Sequence, residues 1–519
     1  MQKTFPSLAC LFFVLLCTAC QSQPAYDPQA RKYSESLAAP QSGPLAEGAT
    51  RATTRHDDKT SGFYLLQDGL SAFVARVALI EAARTSLDLQ YYIFSDDTSG
   101  RIIISKLLEA ADRGVRVRLL VDDLGTRVAE PVVAILDQHP NIQIRLFNPV
   151  KARSGFSRGM QMAFHFGRTN HRMHNKLMVA DSSAMVTGGR NIGDEYFSNN
   201  AVDFQDVDIT AIGAILPEAT ASFDNYWNHP ASIPVNYVLN ADDAAMTLAE
   251  LRQSVKDFLV AQKDSEFARA LVESSLGQDL VSGEIPLTWG KASLYVDPPD
   301  KATARDALSR QDYLGTALKQ ILEQSRERLR ISSAYFVPGD AGVALFGELE
   351  QRGVEVDILT NSLSTTDVAI VHSGYADYRK PLLENGIQLW ELRAEAGQDQ
   401  RIHWFKGKSR ASLHAKTFVI DHDRVFIGSV NLDGRSLIQN TEIGLLIESG
   451  ALNRQLDALF ETWVKGDSAW HLTLADDGDL QWQADDHGTP IIEDHDPGTS
   501  SWQRFKVWML SWLPIESQI

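Results

Sequence analysis

The sequence predicts an α/β protein built from two tandem copies of one domain, and three observations carry that prediction. The chain is 519 residues long, beyond the size at which one hydrophobic core stops growing. Its composition, 44% hydrophobic and 22% charged, is that of a folded globular protein with no long biased tract. One order of strand and helix signals, read over residues 63–123, is then read again over residues 292–362.

The first nineteen residues form a targeting segment. MQKTFPSLACLFFVLLCTAC carries one lysine, an apolar run from Leu8 to Leu16, then small residues. This is the pattern of a secretory signal peptide, too short to cross a bilayer comfortably. It also resembles a bacterial lipoprotein signal with Cys20 as the lipidated residue, although Cys17 stands where an aliphatic residue is usual. All three cysteines, Cys10, Cys17 and Cys20, fall in this stretch. Cleavage would leave Cys20 alone, with nothing to form a disulfide.

Residues 20–58 are polar and rich in Pro, Ser, Ala and Gly, which predicts a flexible linker. The first domain spans 59–234. FYLLQDG (63–69) reads as a strand and turn, LSAFVARVALIEAARTS as a helix, and LDLQYYIF (87–94) as a strand. SGRIIISKLLEAADRG reads as a helix closed by Gly114, and VRVRLLVDD (115–123) as the next strand. A mostly helical connector occupies 235–287. The second domain, 288–470, repeats the order with ASLYVDPPD, YLGTALKQILEQSRER, LRISSAYFVPGD, AGVALFGELEQRG and VEVDILTNS. Residues 471–519 are an acidic tail ending in WQRFKVWMLSWLPIES. There Trp502, Phe505, Trp508, Met509 and Trp512 recur every three to four residues, an aromatic stripe on a helix ending before Pro514. Such a stripe either packs on the body or lies in a membrane interface.

The chemistry-bearing residues occupy matching places in the two copies. HNKLMVAD and HAKTFVID each read H-x-K-x4-D, followed after six residues by G-[GS]-x-N. The members are His174, Lys176, Asp181 and Asn191 in the first copy, and His414, Lys416, Asp421, Ser429 and Asn431 in the second. One such match arises by chance; two at equivalent points of a repeat do not. Side chains two apart on a strand share a face, so each histidine projects with its lysine. Asp181 and Asp421 lie at an odd offset and are expected to organise the strand ends. The asparagines, with Ser429, are expected to hold phosphate oxygens. Paired His, Lys and Asn suit a phosphodiester: cations and amides hold anionic oxygens, one imidazole attacks phosphorus, the other protonates the leaving alkoxide. A lysine beside each histidine opposes a bound cation, and no Cys/His ligand set sits at metal spacing. A net charge of −18 opposes non-specific nucleic-acid binding.

Twin H-x-K-x4-D motifs with G-S-x-N resemble the phospholipase D superfamily over residues 60–470. The resemblance implies two tandem domains, each a mixed sheet flanked by helices, related by a pseudo-twofold axis around one shared site. It implies a covalent phosphohistidine, no cofactor and no metal, with His174 the nucleophile and His414 the general acid. It also implies a carboxylate orienting each histidine: Glu442 in QNTEIGLLI, and in the first copy Asp206 of DFQDVDI, with Asp208 as competitor. Gly189 stands where the first motif usually has serine, implying fewer phosphate contacts there. NSLSTTDVAIVHSGYADYRKPLLENGIQLWEL (361–392) and SSAYFVPGD resemble bacterial cardiolipin synthases of the type C branch. That implies transfer of a phosphatidyl group to phosphatidylglycerol, from phosphatidylethanolamine or a second phosphatidylglycerol. The N-terminal signal adds the expectation of an enzyme lipid-anchored in the bacterial cell envelope, at the outer or inner membrane, and facing the periplasm, against a cleaved signal that leaves Cys20 free. The alternatives are a hydrolase or nuclease of the same superfamily, or a silent lipid-binding scaffold.

The basic runs RTNHRMHNK and RIHWFKGKSRASLHAK are either solvated faces or guides for anionic headgroups through Arg168, Arg172, Lys406, Lys408 and Arg410. His165, His171, His403 and His422 lack a partner in register and read as structural or rim residues.

Overall fold

The computed structural model describes residues 32–150, 153, 170–200, 202–241, 244–274, 276–282, 284–303, 309–395, 410–486 and 488–512. The signal segment, Cys20, His165, Arg168, His403, Lys406 and Lys408 lie outside them.

The first repeat carries β1 (Ser61–Leu66), β2 (Ser86–Tyr91), β3 (Arg116–Asp122), β4 (Ile142–Phe147), β5 (Leu177–Ala180), β6 (Ala184–Gly188), β7 (Val202–Gln205), β8 (Asp208–Gly213) and β9 (Ser232–Pro234). The second carries β10 (Thr288–Val296), β11 (Arg328–Ser333), β12 (Glu355–Asn361), β13 (Gln388–Leu392), β14 (Arg410–Leu413), β15 (Lys416–Ile420), β16 (Arg424–Gly428), β17 (Ile443–Glu448) and β18 (Ala469–Leu474). The half-sheets have the same order, β9-β4-β3-β2-β5-β6-β8-β1 and β18-β13-β12-β11-β15-β16-β17-β10. They join edge to edge where β1 pairs antiparallel with β10. β19 (Leu480–Asp486) and β20 (Thr489–Glu493) extend the far edge, so the acidic segment after 470 adds to the sheet.

Local chemistry fixes the helices as well. Asp68 and Asp97 cap helices Gly69–Ala82 and Thr98–Asp112 by accepting backbone N–H bonds. Gly114 and Gly353, at φ 94° and 83°, take the left-handed turn after helices Thr98–Asp112 and Gly339–Gln351. One apolar layer is shared between repeats. Leu177, Val179 and Ile209 of the first pack in a single cluster with Val419, Ile427 and Leu445 of the second. Helices Leu216–Trp227 and Gly450–Trp463 contribute Phe223, Trp227, Leu456 and Phe460 to that cluster.

The spacer expected over 20–58 is corrected from residue 32 onward. Residues 44–53 form a helix, and residues 32–36 lie across the first repeat. Arg118, fully buried, binds Asp88 at 2.6 Å and Asp224 at 2.7 Å and donates to the Ser34 carbonyl and the Ser36 hydroxyl. A buried guanidinium needs every donor met, and this segment supplies acceptors.

Candidate active site

The two repeats bind each other through the segments that carry the histidines. Met173 bridges in parallel to Thr441; the His174 N–H donates to the Thr441 carbonyl and the Thr441 N–H to Arg172, both at 2.9 Å. On the other side of the pseudo-twofold, β14 pairs in parallel with β7, and the His414 N–H donates to Gln205 at 2.8 Å. Thr441 precedes Glu442 and Gln205 precedes Asp206. The backbone that holds each histidine therefore delivers a carboxylate from the opposite repeat.

The ring contacts follow from this. His174 Nδ1 lies 2.9 Å from Glu442 Oε2, and His414 Nδ1 lies 2.6 Å from Asp206 Oδ2. The expectation that Asp206 serves its own copy's histidine is thus corrected: the pairs cross. Asp208 takes no part, being held by Arg76 at 2.8 Å and by the Arg190 N–H. Each carboxylate fixes the proton on Nδ1 and leaves the Nε2 lone pair for chemistry.

Lys176 and Lys416 are buried beside their histidines, and each Nζ donates to its histidine's carbonyl. Burial pushes both ammonium groups below the usual lysine range. Burial and the two lysine charges hold both imidazoles well below the ordinary histidine range, so they rest neutral at pH 7. Burial raises Asp206, and lifts Glu442 to about 7 against the pull of Lys176. Lys176 and Lys416 bring a cation from each repeat to both imidazoles, which suits the pocket to a bound phosphate. The rings are walled by aromatics: Tyr92 lies edge-on to His174 at 5.1 Å, Tyr196 edge-on to His414 at 5.1 Å, with Phe204 at 5.0 Å.

The motif residues that close the strands have different tasks. Asp181 accepts backbone N–H bonds from Arg84, Thr85 and Ser86. Asp421 accepts them from Arg326, Glu327 and Arg328. Both sit in left-handed turns, φ 52° and 50°, a conformation aspartate tolerates. For Asp421, burial raises the carboxyl but the three N–H groups outweigh it, and its pKa falls. Asp181→Ala would leave three part-buried N–H groups without an acceptor. It is expected to cost about 2–4 kcal/mol in denaturant unfolding while leaving turnover of the folded fraction within about twofold.

Two phosphate-binding expectations are corrected. Asn191 is spent on the fold: its Oδ1 accepts from the Ile93 N–H at 3.0 Å and its Nδ2 donates to the Tyr196 hydroxyl at 3.0 Å. The Ser429 hydroxyl donates to Glu442 Oε2 at 2.5 Å and accepts from the Ile443 N–H, so it positions the carboxylate. Asn431 accepts at Oδ1 from the Tyr335 N–H at 3.4 Å, and its amide nitrogen bonds nothing among the described residues.

This also explains Gly189. A Cβ there would lie 2.2 Å from Asp206 Oδ1. Asp206, one methylene shorter than Glu442, occupies the space that a serine side chain fills in the second copy. Gly189 with Asp206 and Ser429 with Glu442 are thus matched pairs. Gly189→Ala is expected to displace Asp206 from His414 and lower turnover about 10–100-fold, read alongside an unchanged circular-dichroism spectrum. Wild-type turnover would refute the pairing.

Arg172 is no headgroup guide: it is buried against Asp122 at 2.8 Å. Arg410 is exposed and donates to the Ser364 carbonyl. His171 meets the Lys301 carbonyl at 3.2 Å, and His422 pairs with Glu327 at the surface. Sequence reasoning missed Tyr92, Thr441 and Arg435. Arg435 is half-buried, donates to the Asn170 carbonyl at 3.4 Å, feels the Asp433 charge without an ion pair closer than 4 Å among the described residues, and its charge helps depress His174. It stands four residues after Asn431, where the first copy has Glu195 four after Asn191. Aligning the repeats two turns past the motif shows that charge reversal. Among the described residues, no group of three or more His, Cys, Asp or Glu side chains is placed to hold a metal ion.

The family described as cardiolipin synthase, PLD-like domain, matches residues 77–227 and again 318–464, more than half the chain and once in each repeat. The chain belongs to this family. It is 41% identical over 459 residues to cardiolipin synthase C of Escherichia coli K12, covering 88% of this chain and 95% of that protein. It is 32% identical over 458 residues to an uncharacterized protein of Helicobacter pylori J99, covering 88% and 89%. Cardiolipin synthase A of Pseudomonas aeruginosa PAO1 is 27% identical over 402 residues, 76% of this chain and 66% of that one. Among solved structures, phosphatidylserine synthase of Haemophilus influenzae superposes with a TM-score of 0.55 at 13% identity, covering 91% of this chain and all of that one. That likeness establishes the shared fold of two tandem α/β repeats.

Proposed function

We propose that this protein is a phosphatidyltransferase that makes cardiolipin from phosphatidylglycerol and a phospholipid donor. The observation that carries the reading is a single His/Lys site assembled from both repeats, in a chain 41% identical, over nearly its whole length, to a cardiolipin synthase C.

The steps use this chain's own groups. Lys176, Lys416 and the Asn431 amide hold the non-bridging oxygens of the donor phosphate, and Arg435 adds a cation at the His174 side. His174, its proton fixed on Nδ1 by Glu442, attacks phosphorus through Nε2. The P–O bond to the headgroup alcohol breaks as His414 Nε2 gives it a proton. The bound phosphate anion restores proton affinity to His414, whose Nε2 takes up one proton from solvent before the P–O bond breaks. The terminal hydroxyl of phosphatidylglycerol then takes the vacated place. It gives its proton to His414 and attacks phosphorus, and the P–N bond to His174 breaks. With phosphatidylethanolamine as donor, ethanolamine leaves; with phosphatidylglycerol, glycerol leaves.

Purified protein given phosphatidylglycerol, with and without phosphatidylethanolamine, is expected to yield cardiolipin by mass, more in the mixture. Phosphatidic acid without cardiolipin would overturn transfer in favour of hydrolysis; no product would favour a silent scaffold.

We further propose that the protein sits on the periplasmic face of a bacterial envelope membrane, tethered by lipid at Cys20. Support comes from the apolar run and small residues before that cysteine. No helix among the described residues is long and apolar enough to cross a membrane. Labelling with a fatty-acid analogue is expected to be lost in Cys20→Ala, and a variant that still labels would refute the tether.

A further inference from the structure

The helix Ser501–Ser511 has its apolar face turned outward. Arg504, Val507 and Leu510 face the body, with Val507 buried. Trp502, Phe505, Trp508, Met509 and Trp512 are 60%, 46%, 54%, 52% and 73% exposed. The rings form a continuous ladder, Trp502–Phe505 at 5.6 Å, Phe505–Trp508 at 5.8 Å and Trp508–Trp512 at 5.0 Å. Packing of this stripe into the body, one of the two readings of the sequence, is therefore corrected. Singly exposed apolar residues are ordinary, but four on one face of an eleven-residue helix, with a fifth at its C-cap, are not.

The helix is held in a definite place. A capping box of Ser500 and Gln503 starts it, and it packs on helix Ala369–Ala376. Just before it, Asp496 binds the buried Arg379 at 2.7 Å, and Gly498 lies against Ser364. Ser364 follows the end of β12, where the Asn361 amide exchanges two 2.8 Å hydrogen bonds with Leu413, the residue before His414. The chain leading into the helix is thus anchored at Ser364, beside the strand-end rim that carries the active site.

We infer that this helix is an interfacial membrane contact that lays the active-site rim against the lipid surface holding the substrates. The inference rests on the phosphatidyltransferase reading for its purpose, but not for its geometry. Three observations identify a lipid surface as the occupant. Tryptophan side chains prefer the headgroup boundary, where ring and N–H are both accommodated. Residues 500–512 carry no acid and present Lys506 on the exposed side, in a chain of net charge −18, which favours anionic lipid. Lys506 lies 5.3 Å over the Trp502 ring, keeping a cation at the aromatic edge. A second copy docked face to face would set this cation against its own counterpart. At eleven residues the helix is also too short to cross a bilayer.

The test compares the full chain carrying Cys20→Ala, so that no acyl chain masks the result, with the same chain carrying Trp502→Ser, Trp508→Ser and Trp512→Ser. Both are co-sedimented with phosphatidylglycerol–phosphatidylcholine vesicles and assayed on vesicles and on detergent mixed micelles. The triple variant is expected to bind vesicles at least about tenfold more weakly, to lose vesicle activity in proportion, and to keep mixed-micelle activity within about twofold. Vesicle binding equal to the parent would overturn the inference. So would an equal loss of activity in both presentations, or a dimer in the parent that the substitutions dissociate. If the parent makes no cardiolipin in either presentation, the enzymatic reading fails, while vesicle binding still decides the role of the helix.

Discussion

His174→Ala and His414→Ala are each expected to lower cardiolipin formation by at least about 10³-fold, and to differ when the leaving group needs no proton. A p-nitrophenyl phosphodiester supplies that case. His414→Ala keeps Nε2 of His174, so it should release about one p-nitrophenolate per site and then stall, because the resolving alcohol has no base to take its proton. His174→Ala lacks the nucleophile and should show no burst. The two rings are otherwise alike: side chains only 13% and 9% exposed, both depressed, each fixed through Nδ1 by a carboxylate. The burst therefore separates roles that resting geometry leaves equivalent. A burst in His174→Ala and none in His414→Ala would reverse the assignment. A burst in both would sink the two-histidine mechanism.

Glu442→Gln and Asp206→Asn are expected to lower turnover by about 10²–10⁴-fold, the range for losing the carboxylate that fixes a catalytic imidazole's tautomer. Because the pairs cross, Glu442→Gln should behave as a weakened His174 and lose the burst. Asp206→Asn should behave as a weakened His414, keeping the burst and losing its resolution. Pairing within each copy would exchange these phenotypes. Glu442 also gives a signature in stability. Its folded-state pKa is raised from 4.5 to about 7, so between those values the folded chain holds a proton that the unfolded chain has released. Its contribution to stability is full below 4.5, falls as pH rises towards 7, and stays low above it. Glu442→Gln removes that slope, so its melting temperature relative to wild type should be higher at pH 8 than at pH 5. An equal difference at both pH values would contradict a carboxyl that titrates near 7.

The sequence reveals most where physics is local and repeated. Duplication makes the half-sheets readable because each strand and helix signal occurs twice in order. H-x-K spacing marks the entry to β5: His174 and Lys176 stand just before the strand begins at Leu177, and the Lys176 Nζ donates to the His174 carbonyl. What sequence conceals is contact between the copies. Glu442 sits 268 positions from His174, and no spacing within one motif reveals that Thr441 bridges to Met173 and so carries Glu442 to the other repeat's histidine. Asn191 misleads because Gly188, at φ 150°, turns the chain so that its side chain caps the Ile93 N–H beyond β2. Residues 32–36 look like a spacer because composition gives no sign of Arg118, whose buried charge they cover. The aromatic helix is legible as a stripe, but which side it faces depends on what packs beneath Val507.

Covalent trapping during turnover tests the central claim most directly, namely that one site assembled from both repeats transfers a phosphatidyl group through His174. Protein quenched under alkaline conditions with labelled donor is digested, and its peptides are mapped by mass. The account predicts an acid-labile phosphatidyl adduct on the peptide containing His174, discharged to cardiolipin when phosphatidylglycerol is added. An adduct on His414, or sustained cardiolipin synthesis with no adduct on either histidine, would contradict it.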